Sequence, residues 1–153
     1  MATAISSIHD ELHTVVAAAL PAGYRLIPNA YITPENVGLY LRQGYGIAVG
    51  PGNNTERIIG GKKSYQRDFQ VFLTRELMTT STNTEARQMV EKQILEDFDT
   101  VLKAIEENPT LNGNAGKTVL INDGGLEYLE SDRAKYFLIE TTVTVEYLEN
   151  VNC

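Results

Sequence analysis

Two histidines one helical turn apart, in His9-Asp10-Glu11-Leu12-His13, form the most metal-like pattern in the chain, because imidazoles at i and i+4 share a helix face. The zinc-protease version of that pattern needs Glu directly after the first His as general base. Asp10 stands there instead, and Glu11 falls on another helix face. With only 2 histidines in the chain, a zinc site would have to recruit distant carboxylates. The pair is therefore read as part of the polar face of an amphipathic helix. Gly113-Asn114-Ala115-Gly116-Lys117-Thr118 ends like a phosphate-binding loop, but Leu111 occupies the place of its leading glycine. That loop must also follow a strand and open a helix so that helix-end amides face the phosphate. Here a helix pattern precedes it and a strand pattern comes after it. Gly60-Gly61-Lys62-Lys63-Ser64 fails likewise, with Thr55 and Glu56 where a leading glycine belongs. Both read as turns.

Carboxylates are plentiful at Glu96, Asp97, Asp99, Glu106, Glu107, Glu127 and Glu130. A glycosidase-like pair among them stays open, although most are surface charges of one helix. No Ser/His/Asp or Cys/His set can be assembled, because both histidines belong to the first helix and Cys153 ends the chain. As the only cysteine it has no internal disulfide partner, and it reads as an inert tail residue, with pairing to another subunit's thiol as the alternative. No catalytic, cofactor or metal residues are assigned.

The elements that position these residues are legible from periodicity. Thr82 and Glu85 have the S/T-x-x-E spacing of a capping box. Beyond them Ala86, Met89, Val90, Ile94, Phe98, Val101, Leu102 and Ile105 recur at three- and four-residue steps, opposite Arg87, Glu91, Glu96, Asp99, Lys103 and Glu106. The spacing predicts an amphipathic helix over 83–107, stopped by Asn108-Pro109. A first helix is predicted over 5–20, with Ile5, Ile8, Leu12, Val15, Val16 and Ala19 on one face and Pro21 as its stop.

Strand patterns fill most of the rest. Residues 37–41, 45–49 and 66–75 read as strands, the last alternating Phe69, Val71 and Leu73 with Gln66, Asp68 and Gln70. Residues 50–64 read as a Gly-rich hairpin arm or mobile loop. After the long helix, Val119 to Ile121 reads as a short strand, Asn122 to Gly125 as a turn, and Leu126 with Tyr128 as the start of another strand. Phe137, Ile139, Thr141, Val143, Val145 and Tyr147 then line one face of a long strand, and Tyr136, Leu138, Glu140, Thr142, Thr144 and Glu146 the other. The order predicts an α+β domain, a mostly antiparallel or mixed sheet of about four to six strands packed against two amphipathic helices.

Composition bounds function. At 153 residues and 42% hydrophobic content, residues 1–153 are expected to form a single domain with a real core. No apolar run approaches the roughly 20 residues that span a bilayer, and the N-terminus lacks the regions of a signal peptide, so an intracellular, non-membrane protein is expected. A net charge of -7 and a pI near 4.8 argue against a sequence-reading nucleic-acid surface, which needs a basic face. They suit a wall past which DNA slides without sticking.

The order helix, strands, loop, strand, long helix, strand pair resembles the tail terminator proteins of tailed bacteriophages. The resemblance is carried by Tyr65-Gln66-Arg67-Asp68-Phe69-Gln70-Val71-Phe72-Leu73, by Phe98-Asp99-Thr100-Val101-Leu102-Lys103-Ala104-Ile105, and by Gly125-Leu126-Glu127-Tyr128-Leu129-Glu130 with residues 140–148. It covers roughly two thirds of the chain by pattern. It implies a structural, non-enzymatic virion protein without cofactors, made in the host cytoplasm. The protein would form a homo-hexameric ring that caps the tail tube. Its partners would be the tail tube protein and a neck, connector or head-completion protein, with sheath protein added if the tail is contractile. Genomic DNA would pass through the lumen without sequence recognition. Another tail or neck assembly subunit is the second reading, and a small hydrolase or nucleotide-binding enzyme the third.

A closing ring needs two complementary patches on each subunit. Candidates are Arg57, Lys62, Lys63 and Tyr65 in and beside the arm, a local reversal of charge on an acidic protein, and Tyr136, Leu138, Glu140 and Thr142 on the second face of the last strand. Tyrosines such as Tyr40, Tyr45 and Tyr65 suit interface anchors or the rim of the core equally well.

Overall fold

The first helix, α1 (Ala4–Ala19), buries Ile8, Leu12, Val15 and Val16 at the spacing its sequence predicts. Its last turn is closed by the Leu20 amide donating to the Val16 carbonyl at 3.1 Å, just before Pro21. The computed structural model describes residues 4–27, 43–59, 61–77, 84–113, 115, 117–130 and 135–150. The strand expected over 37–41, Tyr40, the capping residue Thr82 and Cys153 lie outside them. The second helix, α2 (Thr84–Glu106), buries Ile94, Phe98, Val101 and Ile105. Met89, expected on that stripe, is instead 62% exposed, while its neighbour Val90 packs against the core.

The exit from α2 is built by local chemistry. Asn108 Nδ2 donates to the Ala104 carbonyl at 2.7 Å, occupying one of the carbonyls a helix end leaves open. Leu111, Asn112 and Gly113 then take φ values of 46°, 57° and 83°, a left-handed run that reverses the chain and drives Leu111 fully into the core.

The sheet has five strands among the described residues: β1 (Arg25–Leu26), β2 (Gln43–Ile59), β3 (Lys62–Leu77), β4 (Lys117–Glu130) and β5 (Lys135–Asn150), in spatial order β1-β2-β3-β5-β4. β1 runs parallel to β2 and every other pair is antiparallel, so the sheet is mixed. The Gly-rich segment 50–64 is a hairpin within this sheet, turning at Gly61 with φ 78°. Its β3 side pairs with β5 to the end, Lys62 opposite Asn150, so the arm is three strands wide.

One expectation is corrected. Asn122 to Gly125 does not end a strand: β4 is continuous, with register shifts between Leu120 and Asn122 and between Asp123 and Gly125. Each shift inserts one extra residue, which moves the alternation to the opposite face, and two shifts restore it. Leu126 thereby returns opposite Ile139 and Tyr128 opposite Phe137. Gly125, at φ 78°, supplies the left-handed residue such a bulge uses. In sequence, two added residues in a Gly-Gly context look like a turn.

Both helices pack on one face of the sheet. Phe69, Val71 and Leu73 of β3, Phe137, Ile139, Val143 and Val145 of β5, and Tyr45 and Ile47 of β2 join the helix residues in one cluster. Each fully buried aliphatic or aromatic side chain there contributes about 1.5–3 kcal/mol. No described helix lies on the opposite face. There Phe72 is buried over Gly46, where an added Cβ would sit 2.4 Å from the ring's Cζ. The glycine leaves room for the outer end of the ring against the backbone.

Candidate assembly surface

The histidines do not lie on a polar helix face. The ring of His9 is half-buried, and its Nε2 lies 3.1 Å from the Ile47 carbonyl of β2. A carbonyl only accepts, so Nε2 carries the proton. The Tyr45 carbonyl, two residues earlier, takes the Ile27 amide at 2.9 Å. His9 thus continues along β2 the capping that β1 begins. The His13 ring sits edge-on to His9 at 4.5 Å and 6.2 Å from Tyr45. Burial, then the His9 ring, lowers the His13 pKa, and Asp10 opposes them. His13 Nδ1 is buried without a hydrogen-bond partner among the described residues. No group of three His, Cys, Asp or Glu able to hold a metal occurs among the described residues. Ile8 and Leu12 immediately precede the two histidines, so the α1 stripe that meets the sheet brings them along.

A polar network that periodicity does not reveal joins the α1–β1 connection to α2 and β3. The Tyr24 hydroxyl donates to Asp97 Oδ2 at 2.6 Å, and burial followed by Asp97 raises its pKa. Arg75 Nε lies 4.0 Å from the same oxygen, its Nη1 donates to Gln93 Oε1, and its guanidinium covers the Tyr24 ring at 5.9 Å. The available signal in the sequence is Arg75 itself, continuing the apolar row Phe69, Val71, Leu73. Other helix carboxylates are surface partners: Asp99 pairs with Lys103 at 2.8 Å and Glu96 with Lys92 at 3.9 Å. The loop through Gly113 leaves α2 and enters β4, the reverse of a phosphate site.

The proposed contact residues fall into two separate places. At the hairpin end Lys62 is exposed, and Lys63 Nζ lies 5.9 Å above the Tyr65 ring, which stacks at 5.9 Å on the buried Tyr147. Arg57 lies on β2 within its second register shift. Below the tip, Arg67 Nη1 donates to the Gly50 carbonyl at 2.9 Å and Ser64 Oγ to Glu146 Oε1 at 3.0 Å.

The second place is the sheet face away from the helices. Tyr136, at 5% exposure, is buried there, while Leu138, Glu140 and Thr142 are half-buried. Thr144 donates to Asp68 Oδ1 at 2.7 Å on the same face. Register adds Glu76, opposite Tyr136, and Glu127, opposite Leu138. Asp68, Glu76, Glu127, Glu140 and Glu146 make this face acidic. Glu127, absent from the contact residues expected from sequence, is exposed; strand register identifies it, and the bulges hide that register in the sequence.

No family model and no curated protein matches the chain. A chain in the solved virion of a native gene transfer agent particle is similar over 93% of this chain and 92% of that one, at 13% identity and a TM-score of 0.32. No described helix is long and apolar enough to cross a membrane.

Proposed function

We propose that this chain is a structural virion protein, a tail terminator subunit whose ring caps the tail tube and joins it to the neck. The observation that carries this reading is the division of labour in one sheet. One face holds the helices and the core, the other is acidic, and a hairpin with a basic tip extends from one end. A subunit with two different, separated surfaces meets the geometric requirement of a heterologous ring. The sequence resemblance supplies the placement, a hexamer at the head-proximal end of the tube, with tube and neck proteins as its neighbours. A net charge of -7 suits a channel through which DNA passes, since like charge opposes adhesion.

Electron microscopy of particles, with this chain located by antibody or tag, tests the reading. A six-fold ring at the junction of tube and neck is expected. Location at the baseplate or on the capsid shell refutes it. Filaments that grow with concentration from the purified chain would make it a tube subunit instead.

A further inference from the structure

Lys62 and Lys63 stand at one end of the sheet, Lys62 exposed and Lys63 half-buried in register with Glu149. Glu127 and Glu140 stand on the acidic face, on neighbouring strands: Glu127 is opposite Leu138, two residues along β5 from Glu140, a diagonal spacing of about 7–8 Å. Lys62 is opposite Asn150, ten residues along β5 from Glu140. At about 3.3 Å per residue that separation is roughly 33 Å. The screening length at physiological salt is about 8 Å, so Lys62 and Lys63 do not neutralise Glu127 and Glu140 within one chain.

We infer that the Lys62–Lys63 hairpin tip of one copy docks on the Glu127–Glu140 face of the next copy, and that this charge pairing sets the direction of the ring. The inference rests on the ring reading above and names its mating surfaces. A lysine tip and the Glu127–Glu140 pair, far apart on one subunit, are complementary between two. The contact is head-to-tail, so each copy uses its tip on one side and its face on the other. Tyr65, stacked on Tyr147 beneath Lys63, holds the tip against the core.

Charge reversal tests this in the full-length chain. Lys62→Glu/Lys63→Glu places like charges at every junction, as does Glu127→Lys/Glu140→Lys, and each variant alone should associate at least about tenfold more weakly. Mixed in equal amounts, the two variants should recover rings, because a Glu tip meets a Lys face and a Lys tip meets a Glu face. Such rings alternate strictly, which an even-numbered ring permits. Sedimentation velocity over a concentration series reads association, and circular dichroism melts check that each variant is folded. Association of the unsubstituted chain should also weaken about tenfold or more as salt rises from low to high.

Variants that assemble as well as the unsubstituted chain would overturn the pairing and leave the ring standing. Folded variants that stay apart when mixed would do the same. Salt-insensitive association would count against it even if a variant failed to fold. An unsubstituted chain that forms no ring, in solution or in the particle, would overturn both readings.

Discussion

Gly46→Ala is the sharpest test of how the sheet face opposite the two helices is built. Gly46 has an ordinary negative-φ strand backbone, so alanine alone should gain about 0.4–1 kcal/mol by restricting the unfolded chain. The structure reverses that sign. The new Cβ would sit 2.4 Å from Cζ and 2.8 Å from Cε1 of Phe72, a buried ring, so the ring must move. Over-packing of this kind costs about 1–3 kcal/mol. The net loss is therefore up to about 2.6 kcal/mol, which at roughly 2–4 °C per kcal/mol for a chain of this size lowers Tm by up to about 10 °C. A double-mutant cycle with Phe72→Val isolates the contact, since the shorter side chain leaves room for the methyl group. In that background Gly46→Ala should become neutral or stabilising. The reasoning is refuted if Gly46→Ala raises Tm in the original background, or if its effect is the same with Val at 72.

Tyr24→Phe removes one donor to the Asp97 carboxylate and should cost about 1–2 kcal/mol in urea unfolding, whereas the exposed Lys92→Ala should leave the midpoint nearly unchanged. Gly125→Ala should cost about 1 kcal/mol through φ 78° alone, because nothing lies within 4 Å of the added Cβ, and Gly125→Asn should cost less. His13 has a folded pKa below its ordinary 6.5, so the folded state binds fewer protons than the unfolded one. Its stabilising contribution is complete above about pH 6.5 and falls as pH drops from there toward the folded pKa. Tm should therefore drop more between pH 7.5 and 5.5 in the original chain than in His13→Gln. Phe98→Ala should cost about 3–5 kcal/mol by opening a cavity under α2, read as a loss of cooperative unfolding near body temperature.

Both helices are legible in the sequence because their stripes obey a 3.6-residue period and their ends carry Pro21 and Asn108-Pro109. β5 is legible for the same reason at period two. β4 is not, because two inserted residues break its alternation, and only pairing with β5 shows that Leu126 and Tyr128 rejoin the core face. The hairpin is located by its glycines, but its three-strand width depends on β5 reaching Asn150, a contact between distant parts of the chain. Periodicity misplaces His9 and His13 because imidazole suits a polar face and a half-buried one equally; the Ile47 carbonyl that fixes His9 is 38 residues away. Of the proposed contact residues, Lys62 and Glu140 have accessible positions, whereas Tyr136 is spent on the subunit's own packing. Lys62, Lys63 and Glu140 are readable from charge and alternation, whereas Glu127 is placed only by the register of β4 on β5. Their separation along the sheet is not readable either, since it depends on which strand end lies beside which.

The handling of the β2 edge bears on how copies can meet. A strand at a sheet edge invites another strand, and a sheet that accepts strands at its edge extends into fibres. Along the outer side of β2 two carbonyls are taken by groups from within the chain, Tyr45 by the Ile27 amide and Ile47 by His9. Pro51 then offers no amide, and two register shifts bend the strand between Val49 and Ile58. On the other side β4 carries two bulges of its own. Both edges are therefore poor templates for continuous strand addition. In the proposed ring, contacts between copies are left to side chains, whose charges can specify one orientation and one neighbour on each side. An assembly that has to close after a fixed number of subunits needs that restriction, because an open edge sets no limit on growth.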